Sequence, residues 1–141
     1  MLVSIEELGK TSLYPEIIDK ITRGDNKAAE LQITAAEEYV KSYLFKYDLN
    51  AAFGTETEPP THSSEFVKKA VKIVASYYVV RQANPNVNIE LFRADFDDVT
   101  ALLEAVRDGK NNLNLPYAPD TGASSDDGVD WDSNTKRTNF F

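Results

Sequence analysis

Three observations predict an all-α fold: a compact domain of about three main helices with shorter N-terminal helices, followed by an extended C-terminal arm. Two apolar runs of nearly twenty residues, beginning near residues 65 and 89, exceed ordinary strand length. Residues able to cap a helix stand ahead of each long segment. Elsewhere the apolar residues recur at spacings of three and four, which gathers them on one helix face. The β-branched residues in these runs favour strand, and length and capping decide against it.

Ser4-Ile5-Glu6-Glu7 has the spacing in which a hydroxyl and a carboxylate reciprocally satisfy the free backbone donors of a helix start. It predicts a short turn around residues 5–9. In "YPEIIDKITRG" a first-turn proline, Pro15, precedes Ile17, Ile18 and Ile21, and Gly24 supplies the stop. Asp25 or Asn26 caps a third helix running to about Tyr47. Its proposed buried face is Ala28, Leu31, Ala35, Ala36, Tyr39, Val40, Tyr43, Leu44 and Tyr47, with Lys27, Glu30, Glu37, Glu38 and Lys41 opposite.

Residues 48–64 contain Pro59-Pro60 and show no periodicity, so they read as a long surface loop. Ser63 or Ser64 then caps "EFVKKAVKIVASYYVVRQA", apolar around most of its circumference except for a stripe at Lys68, Lys72 and Ser76. Such a helix is expected at the centre, surrounded by others. Asn88 caps the last helix, with Leu91, Phe92, Phe96, Val99, Leu102, Leu103 and Val106 as its stripe and Gly109 as its stop. The body is therefore expected to span residues 1–115. The arm, 116–141, is rich in Pro, Gly, Ser, Asp and Asn and too polar to form a core of its own.

With 141 residues the chain has the length of a single domain. Without cysteine it has neither disulfides nor thiolate metal sites. The start "MLVSIEELGK" reads as neither signal peptide nor membrane span, so a membrane partner is not expected. Twenty-three acidic against 15 basic residues leave a net charge of −8, which disfavours gripping nucleic acid through its phosphates. A negative wall still lets DNA pass without being gripped.

No catalytic constellation emerges, so an enzyme is not expected and no cofactor is implied. His62 is the single histidine and stands in the proline-containing loop, where a solvated or capping role is expected. The adjacent acids Glu37-Glu38 and Asp97-Asp98 point about 100° apart on a helix and do not converge on one bond or metal. Asp130-Trp131-Asp132-Ser133-Asn134 matches the first half of a calcium loop. Thr135 and Phe141 then occupy the positions that need glycine and a bidentate glutamate, so no metal site is assigned. Tyr39, Tyr43 and Tyr47 read as core and rim packing. Lys68, Lys69 and Lys72 are the one concentration of positive charge, either a solvent edge or a contact for phosphate or for an acidic partner, the acidic tail of a neighbouring copy included.

Three segments, "AAEEYVKSYLFKYD" (35–48), "VKIVASYYVVR" (71–81) and "LLEAVRDGKNNL" (102–113), together resemble a family of small helical proteins of Mu-like phages and prophages. These are virion morphogenesis proteins similar to head-to-tail connectors and head-completion proteins. The resemblance covers about residues 1–115 and departs at Lys46, where arginine is more usual. It implies no catalytic residues. It implies a structural protein that forms a homo-oligomeric ring at the portal end of a capsid, with portal and tail-completion proteins as partners. Its location is then the virion, and the bacterial host cytoplasm during assembly.

The arm has the makings of an interface element: Trp131, Phe140 and Phe141 as aromatic anchors, and Lys136-Arg137 to pair with acids such as Glu37 or Asp97. Lys68 and Lys72 are the body's candidate contacts. The competing expectation is a helical adaptor or regulatory module that binds one protein through the same arm.

Overall fold

A computed structural model describes residues 2–11, 15–82 and 88–119. Their secondary structure is helical: α1 (Ile5–Leu8), α2 (Pro15–Thr22), α3 (Asn26–Tyr43), α4 (Leu49–Phe53), α5 (Glu65–Gln82) and α6 (Ile89–Arg107). Among the described residues the β-type pairing is a single antiparallel bridge, Tyr47 with Tyr117. Trp131, Lys136, Arg137, Phe140 and Phe141 lie outside the described residues, as does the Asp130–Phe141 calcium-loop match.

The local start signals are used as chemistry requires. At α1 the Ser4 hydroxyl accepts from the Glu7 N–H at 3.2 Å while the Glu7 carboxylate accepts from the Ser4 N–H at 3.1 Å. Asp25 caps α3 by accepting from the Lys27 N–H, Ser64 caps α5 through the Val67 N–H, and Asn88 caps α6 through the Glu90 N–H. α6 stops at Gly109, whose φ of 82° lets the Gly109 and Lys110 N–H groups fold back onto the carbonyls of Val106 and Ala105.

α5 is the central helix, touching α1, α2, α3 and α6. Val67, Ala70, Val71, Val74, Ala75, Val79 and Val80 are all buried in it. α3 and α6 close on it with Ile33, Ala36 and Val40, and with Val99, Leu103 and Val106. Burying a side chain of this kind stabilises by about 1.5–3 kcal/mol before the entropy of ordering is subtracted. The packing around α5 therefore decides the fold.

The structure corrects the sequence reading in several places. α3 ends at Tyr43, and Leu44 to Tyr47 form a turn, although Leu44 and Tyr47 remain fully buried. The buried face of α3 is Ala29, Ile33, Ala36, Glu37 and Val40, while Leu31 is 66% exposed. Ala28 and Ala35 made a neighbouring face seem equally apolar, and small residues discriminate poorly between two faces of one helix. The segment 48–64 is no simple surface loop: Asp48 caps α4, whose Ala51, Ala52 and Phe53 are buried, and Lys41 lies over the Phe53 ring at 5.1 Å. A five-residue helix is too short to show a period. Ser76, taken as part of a polar stripe, is buried.

Glu37 is the most consequential correction. It is buried rather than on the polar face, and its carboxylate accepts the Leu2 N–H, tying the N-terminal segment to α3. Glu37→Ala is expected to destabilise by about 1–3 kcal/mol, because the buried Leu2 N–H loses its partner. Glu37→Gln keeps an acceptor in place, and denaturant unfolding of both variants should show the smaller loss there.

Candidate functional site

The spacing of α5 puts Phe66, Lys69, Ile73 and Ser76 on one face, with Lys72 beside them. On α6, Leu91, Asp95, Asp98 and Leu102 form another row, each three or four residues from the next. These faces meet as two walls of a groove of about 570 Å³. Phe66, Ile73, Phe92 and Leu102 supply its apolar surface, Lys69 and Lys72 the charge of one wall, and Asp95 and Asp98 that of the other. Leu102 is 46% exposed, and Leu91, on the same row, is 64% exposed.

None of Lys69, Lys72, Asp95 and Asp98 forms an ion pair among the described residues. Lys72 also acts electrostatically on Glu7 of α1. Its carboxyl is held below the usual carboxylate range first by the Ser4 N–H, with Lys72 adding to the effect and burial opposing it. A groove with greasy surfaces and oppositely charged walls is suited to a peptide carrying large apolar groups between charges.

A second cluster joins α3, α5 and α6. Tyr39 packs edge-on against Tyr43 and Tyr78, while Phe96 lies against Tyr39 at 5.4 Å and against Tyr77 at 4.7 Å. The Tyr39 hydroxyl bonds with those of Thr100 (3.0 Å) and Tyr43 (3.2 Å). The Tyr39 hydrogen bond, reinforced by burial, pushes the Tyr43 phenol up to about 12, so it stays neutral at physiological pH. Burial raises Tyr78 in the same direction. Arg81 lies over Tyr77 and Tyr78, and Arg107 over Tyr43. These contacts lock three helices together, and the hydroxyls are spent on one another.

Of the two body residues singled out from the sequence, Lys72 lines the groove while Lys68 is half-buried at 4.0 Å from Glu65. Lys69 joins Lys72 instead. Asp95 and Asp98 were missed because a row of acids on a surface helix ordinarily means solvation; the signal was the leucine at each end of their row. Asp97 is exposed but is not among the groove residues. Tyr47 leaves the Tyr39–Tyr43 row once α3 has ended and accepts the Leu113 N–H at 3.1 Å. His62 is exposed, its Nδ1 bonded to the Thr61 hydroxyl at 3.1 Å. No three His, Asp or Glu side chains gather as a metal site among the described residues. Nor, among them, is any helix long and apolar enough to cross a membrane.

Compared with known proteins, residues 5–130 match a family model described as Bacteriophage Mu, Gp36. No curated protein and no solved structure matches the chain.

Proposed function

Since this chain belongs to the Bacteriophage Mu Gp36 family of phage proteins, we propose that it is a structural protein of head-to-tail connection, acting without catalysis of its own. It self-associates into a ring at the portal end of the capsid, with the portal and tail-completion proteins as partners. Assembly takes place in the bacterial host cytoplasm and the ring stays in the virion.

The observation that carries this reading is the surface of the α5–α6 pair. An exposed row ending in Leu91 and Leu102 lies on α6, next to a groove whose four wall charges form no ion pair among the described residues. Exposed apolar surface edged with charge is what a contact to another protein requires. A ring also needs two different surfaces on every subunit, one meeting the other around the circle. Groove and C-terminal arm are candidates for that pair. The net charge of −8 suits a ring through which DNA slides without being held.

The test is to mix the purified protein with the portal protein of the same phage and image the product by electron microscopy. Rings of this chain on the portal are the expected result. Absence of any association, unchanged by deletion of 116–141, overturns the reading. Binding to a single protein at one-to-one stoichiometry without rings assigns the chain to the adaptor class instead.

A further inference from the structure

The α5–α6 groove asks for an occupant with apolar bulk, acids on one side and bases on the other. The chain itself carries such a stretch: Asp126, Asp127, Asp130 and Asp132 around Trp131, followed by Lys136-Arg137. Both signs match, the acids to Lys69 and Lys72, the bases to Asp95 and Asp98.

Reach is sufficient. The Ala118 N–H donates to the Lys46 carbonyl at 2.9 Å, and Gly109, just after α6, lies beside the Lys46 ammonium. The chain therefore leaves the body near the C-terminal end of α6. At 1.5 Å per helical residue, Leu102 and Phe92 lie about 9 and 24 Å back along α6 from Asp108. Trp131 lies thirteen residue steps beyond Ala118, and a chain of that length spans up to about 43 Å. Trp131 can thus be placed anywhere along the groove. A tether this short gives an effective concentration on the order of millimolar, which favours the chain's own groove over another copy's in dilute solution.

We propose that the α5–α6 groove is the docking site of the chain's own C-terminal segment in the free subunit. Trp131 covers the apolar surface between Phe66 and Phe92, Asp130 and Asp132 face Lys69 and Lys72, and Lys136-Arg137 face Asp95 and Asp98. This goes beyond the ring reading and does not require it.

Trp131 is the one tryptophan, so its fluorescence reports on the segment directly in the full-length protein. Emission is expected to be blue-shifted at submicromolar concentration, unchanged on dilution and shielded from acrylamide. Lys69→Glu with Lys72→Glu, at exposed and half-exposed positions, should move it to the red and raise the quenching constant severalfold, with the far-UV circular dichroism unchanged. Adding Asp130→Lys and Asp132→Lys to that variant should restore the blue shift. Solvent-like emission from the unmodified chain at every concentration overturns the proposal, as does failure of the reversed charges to rescue. A blue shift that grows with concentration also overturns it, assigning the segment to a neighbouring copy. Portal-binding experiments read none of these signals, so the two readings fail separately.

Discussion

Replacing Tyr47 with alanine is expected to destabilise the protein by about 3–5 kcal/mol, the range for losing a large buried aromatic. Tyr47 is 1% exposed and follows the end of α3, where the chain turns toward α4. Its ring stacks on Tyr117 with centroids 5.3 Å apart, and its hydroxyl accepts the Leu113 N–H at 3.1 Å. On either side, the Asp48 N–H donates to the Pro116 carbonyl and the Ala118 N–H to the Lys46 carbonyl. One side chain thus ties the middle of the chain to the segment after α6. Tyr47→Phe keeps the volume and leaves the Leu113 N–H without its acceptor, so a smaller loss of about 1–3 kcal/mol is expected. Denaturant midpoints of the two variants separate packing from hydrogen bonding. Comparable losses would show that the hydroxyl, not the ring, carries the effect.

Gly54→Ala is expected to be comparably damaging although it only adds a methyl group. Gly54 has φ 81° and ψ −178°, a region essentially confined to glycine. A Cβ there would lie 2.8 Å from the Glu58 carbonyl oxygen and 2.8 Å from the Pro60 nitrogen, both backbone atoms that cannot rotate away. The dihedral conflict costs about 1–3 kcal/mol, and shifting a packed backbone adds about 1–3 kcal/mol more. The damage should reach α4, because the His62 N–H donates to the Ala51 carbonyl and joins the far end of this loop to the helix. Thermal unfolding measures the loss. An unchanged midpoint would mean that the 54–60 turn rearranges freely and does not hold α4 in place.

Neither residue announces its importance along the chain. Tyr47 looks like the end of a tyrosine row on α3, and its role exists only because Leu113 and Tyr117 return to it from some 66 to 70 positions further on. Gly54 looks like any loop glycine until Glu58 and Pro60 fold back over it. Leu44 shows the converse: its apolar character was legible and its burial followed, although the helix that was to carry it stops one residue earlier. A hydrophobic side chain is drawn inside whether by a helix or by a turn.

The candidate site divides in the same way. The lysines of α5 were visible as a charge concentration, and α5 itself as a helix enclosed by others. That Lys69 rather than Lys68 joins Lys72 at the groove depends on the rotation of α5 about its axis, which packing against α1, α2, α3 and α6 sets together. The facing aspartates became part of a site only once α6 had been laid beside α5.

By itself the sequence determined the helical class, the start signals at Ser4 and Asn88, the starts of α3 and α5 to within one residue (Asp25 or Asn26, Ser63 or Ser64), the stop at Gly109 and the central place of α5, because caps and apolar periods act over a few neighbouring residues. Tertiary structure alone decided which face of α3 is buried, that Glu37 is held inside by Leu2, that α4 forms, and that two lysines confront two aspartates across a groove. Those outcomes depend on contacts between segments distant in the chain, whose energies outweigh the small local differences between one helix face and the next.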